Sequence, residues 1–345
     1  MSEAFLVNHG GLRFKKLRVP VLPEKTTLLY FNETLYDNAD MAGAKIVADI
    51  GKSEVTLTPD NYTYEFNILS DTTAEYLIEA TIGGTTRQVS IPLVLQGPDP
   101  ILDNNSWEVI SKVSAAGFAG EFWSVGDIKT ETIDGTMKNF RIIGLDHDYL
   151  DSSDERYSDT SYNQSAYSDG KRYAGITFQT TGEWSSEGSK MNTIITNAGG
   201  WLTSEMRTTT MPAVYDSFTD DMKAVIRTVN KRTGCYNASS DRDVMTDCAD
   251  KVFILAEKEI LNVISGYHKA PLNEVNELTQ YEWYVNHQSD CLSDKKDEWL
   301  RSTHAKNACP DHRHYLVARG NSADQLTTFT EDTNVKQAYR PAFCV

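Results

Sequence analysis

The chain has few cysteines and no pattern among them. Cys235, Cys248, Cys291, Cys309 and Cys344 are the five in 345 residues, and no two form a Cys-x-x-Cys. An odd number in a chain of this length, with 40% hydrophobic residues, argues against a disulfide scaffold and predicts buried free thiols. No apolar run approaches the ~20 residues of a membrane-spanning helix, so membrane insertion is not expected. The opening Met1 to His9 lacks the basic, apolar and cleavage regions of a signal peptide, so synthesis in the cytoplasm without a secretory leader is the expectation. Cationic residues are also scarce. Lys and Arg number 33 against 49 Asp and Glu, a net charge of −16, which speaks against phosphate-backbone binding and hence against a nucleic-acid partner. There are no heptads, so a coiled-coil fibre is excluded and any homo-oligomer must assemble through an arm or through domain surfaces.

Catalytic signatures are missing as well. There is no Gly-x-Ser-x-Gly elbow, no phosphate-binding Gly-rich loop and no His-Glu-x-x-His. The expectation is a non-enzymatic protein that needs no cofactor.

What is present divides in two. Residues 1–18 read as an N-terminal arm broken at Gly10-Gly11. Residues 19–98 hold short segments rich in Val, Ile, Tyr and Thr at 27–31, 44–48, 54–58, 62–68, 75–82 and 87–95. Several alternate apolar and polar residues, the period of a half-buried strand. Gly83-Gly84 between the last two supplies the positive φ angles of a hairpin turn. This pattern predicts a small immunoglobulin-like β-sandwich. Gly97-Pro98-Asp99-Pro100 reads as a linker, and residues 99–345 form the second domain.

That domain has a mixed texture and predicts an α+β fold. Asn105-Ser106 can cap a helix, with Glu108 three residues after Asn105 as in a capping box. Trp107, Ile110 and Val113 mark the apolar stripe and Gly117 the stop. A hairpin turns at Asp134-Gly135, between Ile128–Ile133 and 140–145. Residues 202–211 and 272–287 carry helical spacing, Thr219 can cap a short helix with Met222, Val225 and Ile226 apolar, and 252–255 read as a buried strand. Residues 146–172 are polar, acidic and rich in Tyr and Ser, the composition of a long solvated loop.

Three groups of residues could carry chemistry. Tyr149, Tyr157, Tyr162 and Tyr167 sit among Ser and Asp; such loops suit binding, because Tyr offers a large contact area at small entropic cost, and they equally suit packing against a neighbouring subunit. His304-x4-Cys309-x2-His312-x-His314 offers imidazole and thiolate ligands that suit zinc, though the spacing matches no zinc module and a polar surface loop is the plainer reading. Asp146 and Asp148 have the first two spacings of a calcium loop, but the third ligand position is Leu150 and the required Gly is missing.

Several stretches resemble a known family. They are Asp103-Asn-Asn-Ser-Trp-Glu-Val-Ile110, Phe122-Trp-Ser-Val-Gly-Asp-Ile-Lys-Thr130, Ile142-Ile-Gly-Leu-Asp-His-Asp148, Gly200-Trp-Leu-Thr-Ser-Glu-Met-Arg-Thr-Thr-Thr-Met211, Met222-Lys-Ala-Val-Ile-Arg-Thr-Val229, Asp297-Glu-Trp-Leu-Arg-Ser302 and Tyr339-Arg-Pro-Ala-Phe343. In this order, over residues 101–345, they resemble a domain of unknown function found in phage virion proteins and in surface proteins of Gram-positive bacteria. That domain is related to the C-type-lectin-like fold shared with formylglycine-generating enzymes. The resemblance implies a virion protein, such as a tail fibre, baseplate or head decoration. Its N-terminal region would dock to other virion proteins, and its lectin-like domain would attach to a host-surface glycan or protein. A purely structural virion subunit and a bacterial surface adhesin are the alternatives. Trp299, Leu300 and Arg301 match the Trp-Leu-Arg-Ser motif and read as structural, with Arg301 in an internal ion pair. The oxidase relatives use paired cysteines; Cys309 and Cys344 lie in the right half of the chain, without the flanking motif.

Overall fold

The computed structural model describes the strands of the first 94 residues by their backbone alone, and residues 98–345 except 160–161, 164–169, 238–241, 262–276, 292–295, 305–312 and 321–325; side chains at 235–237, 242–243, 320 and 326–330 are also outside the description. The chain is a mixed α+β protein that divides into two compact units, Met1–Pro98 and Asp99–Val345. The division falls inside the Gly97 to Pro100 stretch.

Among the described residues the first unit contains two antiparallel three-stranded sheets. Strands β1 (Thr26–Phe31), β2 (Thr34–Asp37) and β3 (Ser53–Leu57) lie in the order β2-β1-β3. Strands β4 (Tyr62–Ser70), β5 (Thr73–Ile82) and β6 (Thr85–Val94) form a meander in which Ile82 pairs with Thr85. The arm at 1–18 and the strand expected at 44–48 lie outside the described residues.

In the second unit the first helix, α1 (Trp107–Ala116), is capped by Ser106, whose hydroxyl accepts from the Val109 amide, and ends at Gly117, where φ is +77°. A left-handed residue there suits Gly because no Cβ opposes it. The expected capping box at Asn105 is not formed. The Asn105 amide turns back onto the carbonyls of Asp99 and Ile101, while Glu108 pairs with Lys112 one turn on. The hairpin appears as read: β7 (Ile128–Ile133) and β8 (Thr136–Leu145) join through Asp134 and Gly135, at φ +49° and +74°.

These two strands form one edge of a five-stranded sheet with β9 (Ile176–Thr180), β12 (Val252–Phe253) and β16 (Ala342–Cys344), in the order β12-β16-β9-β8-β7. Every residue of β9 and β16 is buried. Trp107 of α1 packs edge-on against Phe178, with centroids 5.4 Å apart, and Phe343 lies 5.3 to 5.6 Å from Phe140, Phe178 and Phe218. Each buried aromatic contributes about 1.5–3 kcal/mol through area removed from water.

Two further sheets are present among the described residues of the unit. Strands β10 (Val229–Asn237) and β11 (Arg242–Asp250) form a hairpin; β13 (Glu298–Thr303), β14 (His314–Gly320) and β15 (Leu326–Asp332) form a three-stranded antiparallel sheet. Short helices connect them: α2 (Ala119–Phe122), α3 (Gly200–Thr203), α4 (Met211–Ser217), α5 (Asp220–Val225) and α6 (Glu257–Ile260). Thr219 caps α5 through the Met222 amide, as its sequence predicts.

The helix expected at 272–287 does not continue past Glu277, which is helical; 272–276 lie outside the described residues. Residues 278–281 are non-helical and Trp283–Val285 make a single 3₁₀ turn. The cause lies at Tyr281, whose amide donates to the Glu259 carbonyl and whose hydroxyl is drawn into the interior. Over 278–285 the apolar spacing marks the contacts of a strap, not one face of a helix.

Candidate functional site

The loop between β8 and β9 begins at Asp146, where φ is +49°. It is solvated only in part: Ser152, Ser153, Glu155 to Ser158, Gly170 and Lys171 are exposed, as its composition predicts, but other residues turn inward. Asp148, Asp154, Tyr162, Asn163 and Arg172 are buried. Asn163 donates to the Asp146 carboxylate (2.7 Å) and to the Tyr173 carbonyl. Arg172 donates to the carbonyls of Tyr157 and Tyr162, and the Asp154 carboxylate accepts from the Thr228 amide at 2.6 Å. Arg227 pairs with Glu155 at 2.8 Å. Isolated bridges join Tyr149 to Tyr173 and Leu150 to Val229. The described residues of the loop are thus pinned at its base and at Asp154, Asn163 and Arg172.

This pinning sorts the tyrosines. Tyr157 is 40% exposed. Tyr149 is half-buried, its ring 4.5 Å from the Lys171 ammonium and its hydroxyl 3.4 Å from Asn230 Oδ1. Tyr162 is a correction: it is 3% exposed and belongs to the core, where burial pushes its hydroxyl far above the usual phenol range. It cannot present a ring to a ligand. Tyr167 lies outside the described residues.

The proposed zinc ligands divide in the same way. His304 is buried and its ring lies 6.4 Å from that of His314. His314 Nε2 faces Asp332 Oδ1 at 3.0 Å. Cys309 and His312 lie outside the described residues. Among the described residues no group of three or more His, Cys, Asp or Glu is placed to hold a metal ion. Asp148 is unavailable to calcium, because its carboxylate is taken up inside the protein.

What takes it up is a buried polar cluster that the sequence did not reveal. It lies where the five-stranded sheet meets the β10–β11 hairpin, α6 and β13. Lys231, 2% exposed, places its ammonium 2.6 Å from Asp148 Oδ1, 2.8 Å from Glu259 Oε1 and 3.0 Å from the Tyr281 hydroxyl, which uses all three of its protons. Asp148 Oδ2 accepts from the hydroxyls of Thr177 (2.7 Å) and Tyr281 (2.8 Å). Glu259 also receives both terminal nitrogens of Arg301, as a fork, and the Ala256 amide. Arg301 further donates to Thr233 Oγ1 and to the Ile254 carbonyl. This is the internal ion pair expected of Arg301.

Two cations face two anions, so the cluster is charge-balanced. Burial pushes the Asp148 carboxyl up, but the Lys231 ammonium and the neighbouring His147 hold it well below the usual carboxylate range. Burial likewise opposes ionisation of Glu259, and Arg301 and Lys231 bring it down to about 2. Tyr281 moves the other way: burial and the two carboxylates keep its hydroxyl protonated. The His147 ring stacks on Tyr281 with centroids 3.8 Å apart. Gly144 makes room for this, since a Cβ there would meet Tyr281 Cδ1 at 2.9 Å.

A second buried pair lies nearby. Arg340 donates through Nε to both oxygens of Glu298, at 2.8 and 2.9 Å, and through Nη2 to the Tyr284 hydroxyl, which itself donates to Gln179. The described thiols are all buried. Burial and then Asp148 push the Cys344 thiol well above its usual range, and burial pushes Cys248 up to about 12. Such thiols are poor nucleophiles.

No protein-family model, curated protein or solved structure matches the chain.

Proposed function

We propose that the chain is a non-enzymatic phage virion protein, in which an immunoglobulin-like sandwich adapts a C-type-lectin-like domain to the particle and that domain attaches to a host surface. The observation that carries the reading is the anchoring of the described residues of the 146–175 loop, which leaves the Tyr157 side chain exposed while Arg172 holds its carbonyl. A surface ordered before it meets its ligand loses little conformational entropy on binding. The closed state of the Lys231 cluster and the raised thiols support a scaffold over an enzyme. Weak binding at one loop becomes useful when multiplied over many copies, by about 100-fold or more. Localising the chain in intact particles tests the reading: a distal position supports attachment.

A second reading is a purely structural virion subunit. It draws on the apolar exposure at Ile194 (67%), Ile195 and Val335, where the Thr333 hydroxyl donates to the Ile194 carbonyl. A position buried within a shell of other subunits would favour it.

A further inference from the structure

The Lys231, Asp148 and Glu259 cluster contains every group needed to join two of its members covalently. An amine and a carboxyl group meet at 2.6 Å, a second carboxylate lies 2.8 Å from the same nitrogen, and two hydroxyl donors converge on the other oxygen of the first. Lys231 also lies 4.2 Å from the Phe253 ring centroid, and its neighbours exclude water. We propose that Lys231 and Asp148 form an intramolecular amide (isopeptide) bond, with Glu259 as the proton carrier and Thr177 and Tyr281 as the donors to the developing oxyanion.

The step balances without any other reactant. A proton first moves along the short hydrogen bond from the Lys231 ammonium to Asp148, which leaves a neutral amine and a carboxylic acid. The nitrogen lone pair attacks Asp148 Cγ, and the C=O π electrons move onto Oδ2, toward Thr177 and Tyr281. Glu259 takes a proton from the attacking nitrogen and returns it to Oδ1. The Cγ–Oδ1 bond breaks, Oδ1 leaves as water, and the Oδ2 carbonyl re-forms. Nothing is oxidised or reduced, and Glu259 ends as it began.

Three features favour the product. The reacting groups are held together by the fold, which can be equivalent to about 10⁵ M or more of free reactant. Burial penalises the ion pair more than the neutral amide that replaces it. The charge balance also survives: losing one cation and one anion leaves Glu259 paired with Arg301. The bond would close a loop between positions 83 apart in sequence, tying the base of the 146–175 loop to β10. Because Asp148 is held ionised beside Lys231, the amine–acid form is a minor one, and the bond should mature slowly after folding.

Intact-mass spectrometry of the full chain, denatured after folding and prolonged incubation, decides the matter. The expected result is a protein one water lighter than its sequence. Trypsin should then release a branched peptide joining residues 142–156 to 228–232. Glu259→Gln, shown to be folded by circular dichroism, should keep the full sequence mass, as should Asp148→Ala and Lys231→Met. A wild-type chain of full mass, or one that has lost water without the branched peptide, overturns the proposal. A Glu259→Gln chain that forms the bond as fast as wild type overturns the role given to Glu259.

Discussion

The Lys231 ammonium lies 2.6 Å from Asp148 Oδ1 across 83 positions of sequence, with both side chains nearly closed to solvent. The contact ties β10 to the loop that follows β8, and so joins two sheets through a charge pair. Removing one partner leaves the other charge buried. Lys231→Met should therefore destabilise the chain by about 3–5 kcal/mol. Lys231→Met combined with Asp148→Leu removes both charges and should cost less than Lys231→Met alone. Urea denaturation of the two variants and of freshly folded wild type, before the two side chains join, checks the order, and a double variant less stable than the single one would contradict it.

Acid should act through Glu259. Its carboxyl is depressed from 4.5 to about 2 in the folded chain. A group with a lowered folded value binds protons more readily when unfolded, so its contribution is fully present above pH 4.5 and is lost as pH falls toward about 2. Thermal melting between pH 6 and pH 2 should show stability falling below about pH 4.5. Glu259→Gln should start less stable and show a shallower fall across that window. An equally steep fall in the variant would assign the acid sensitivity to other carboxylates.

The thiols should be inert. Cys344 is enclosed with Thr177 and Asp148, Cys291 lies beside Glu298, and Cys248 is pushed up to about 12. In the folded protein at neutral pH, a thiol-specific reagent should label Cys248, Cys291 and Cys344 only as fast as the chain opens, and all three at once in denaturant. Cys344→Ser should preserve surface binding. Rapid labelling of Cys344 in the native state would contradict the enclosure.

Much of the local structure of residues 99–345 is legible in the sequence where one short signal decides it. Ser106 and Gly117 bound α1, Thr219 starts α5, and Asp134-Gly135 turns the β7–β8 hairpin, because caps and turns depend on neighbouring residues alone. The polar cluster is different. Its members come from the β8–β9 loop, β9, β10, α6, the strap at Tyr281 and β13, and no spacing in the sequence announces that they meet. One signal existed. Val229, Lys231 and Thr233 share the buried face of β10, so the strand period alone places a lysine inward, which requires a partner. Over 278–285 periodicity misled, because Leu278, Tyr281 and Val285 repeat at helical spacing while Tyr281 answers to Glu259 and Lys231. The composition of 146–172 hides a division: Ser152, Ser153 and Glu155 to Ser158 are exposed, as a polar loop should be, while Asp148 and Asp154 turn inward, to Lys231 and to the Thr228 amide.

Binding to host cells tests the attachment account most directly. The full chain, displayed in many copies on fluorescent beads, should bind Gram-positive cells of a susceptible strain saturably. Tyr157→Ala together with Lys171→Ala, two exposed positions on the pinned loop, should reduce that binding about 10-fold or more, the effect of losing one to two kcal/mol at a contact centre, while leaving the melting temperature unchanged. Absence of binding at any multivalency, or binding indifferent to both substitutions, would contradict the claim that this loop is the surface the fold exists to hold.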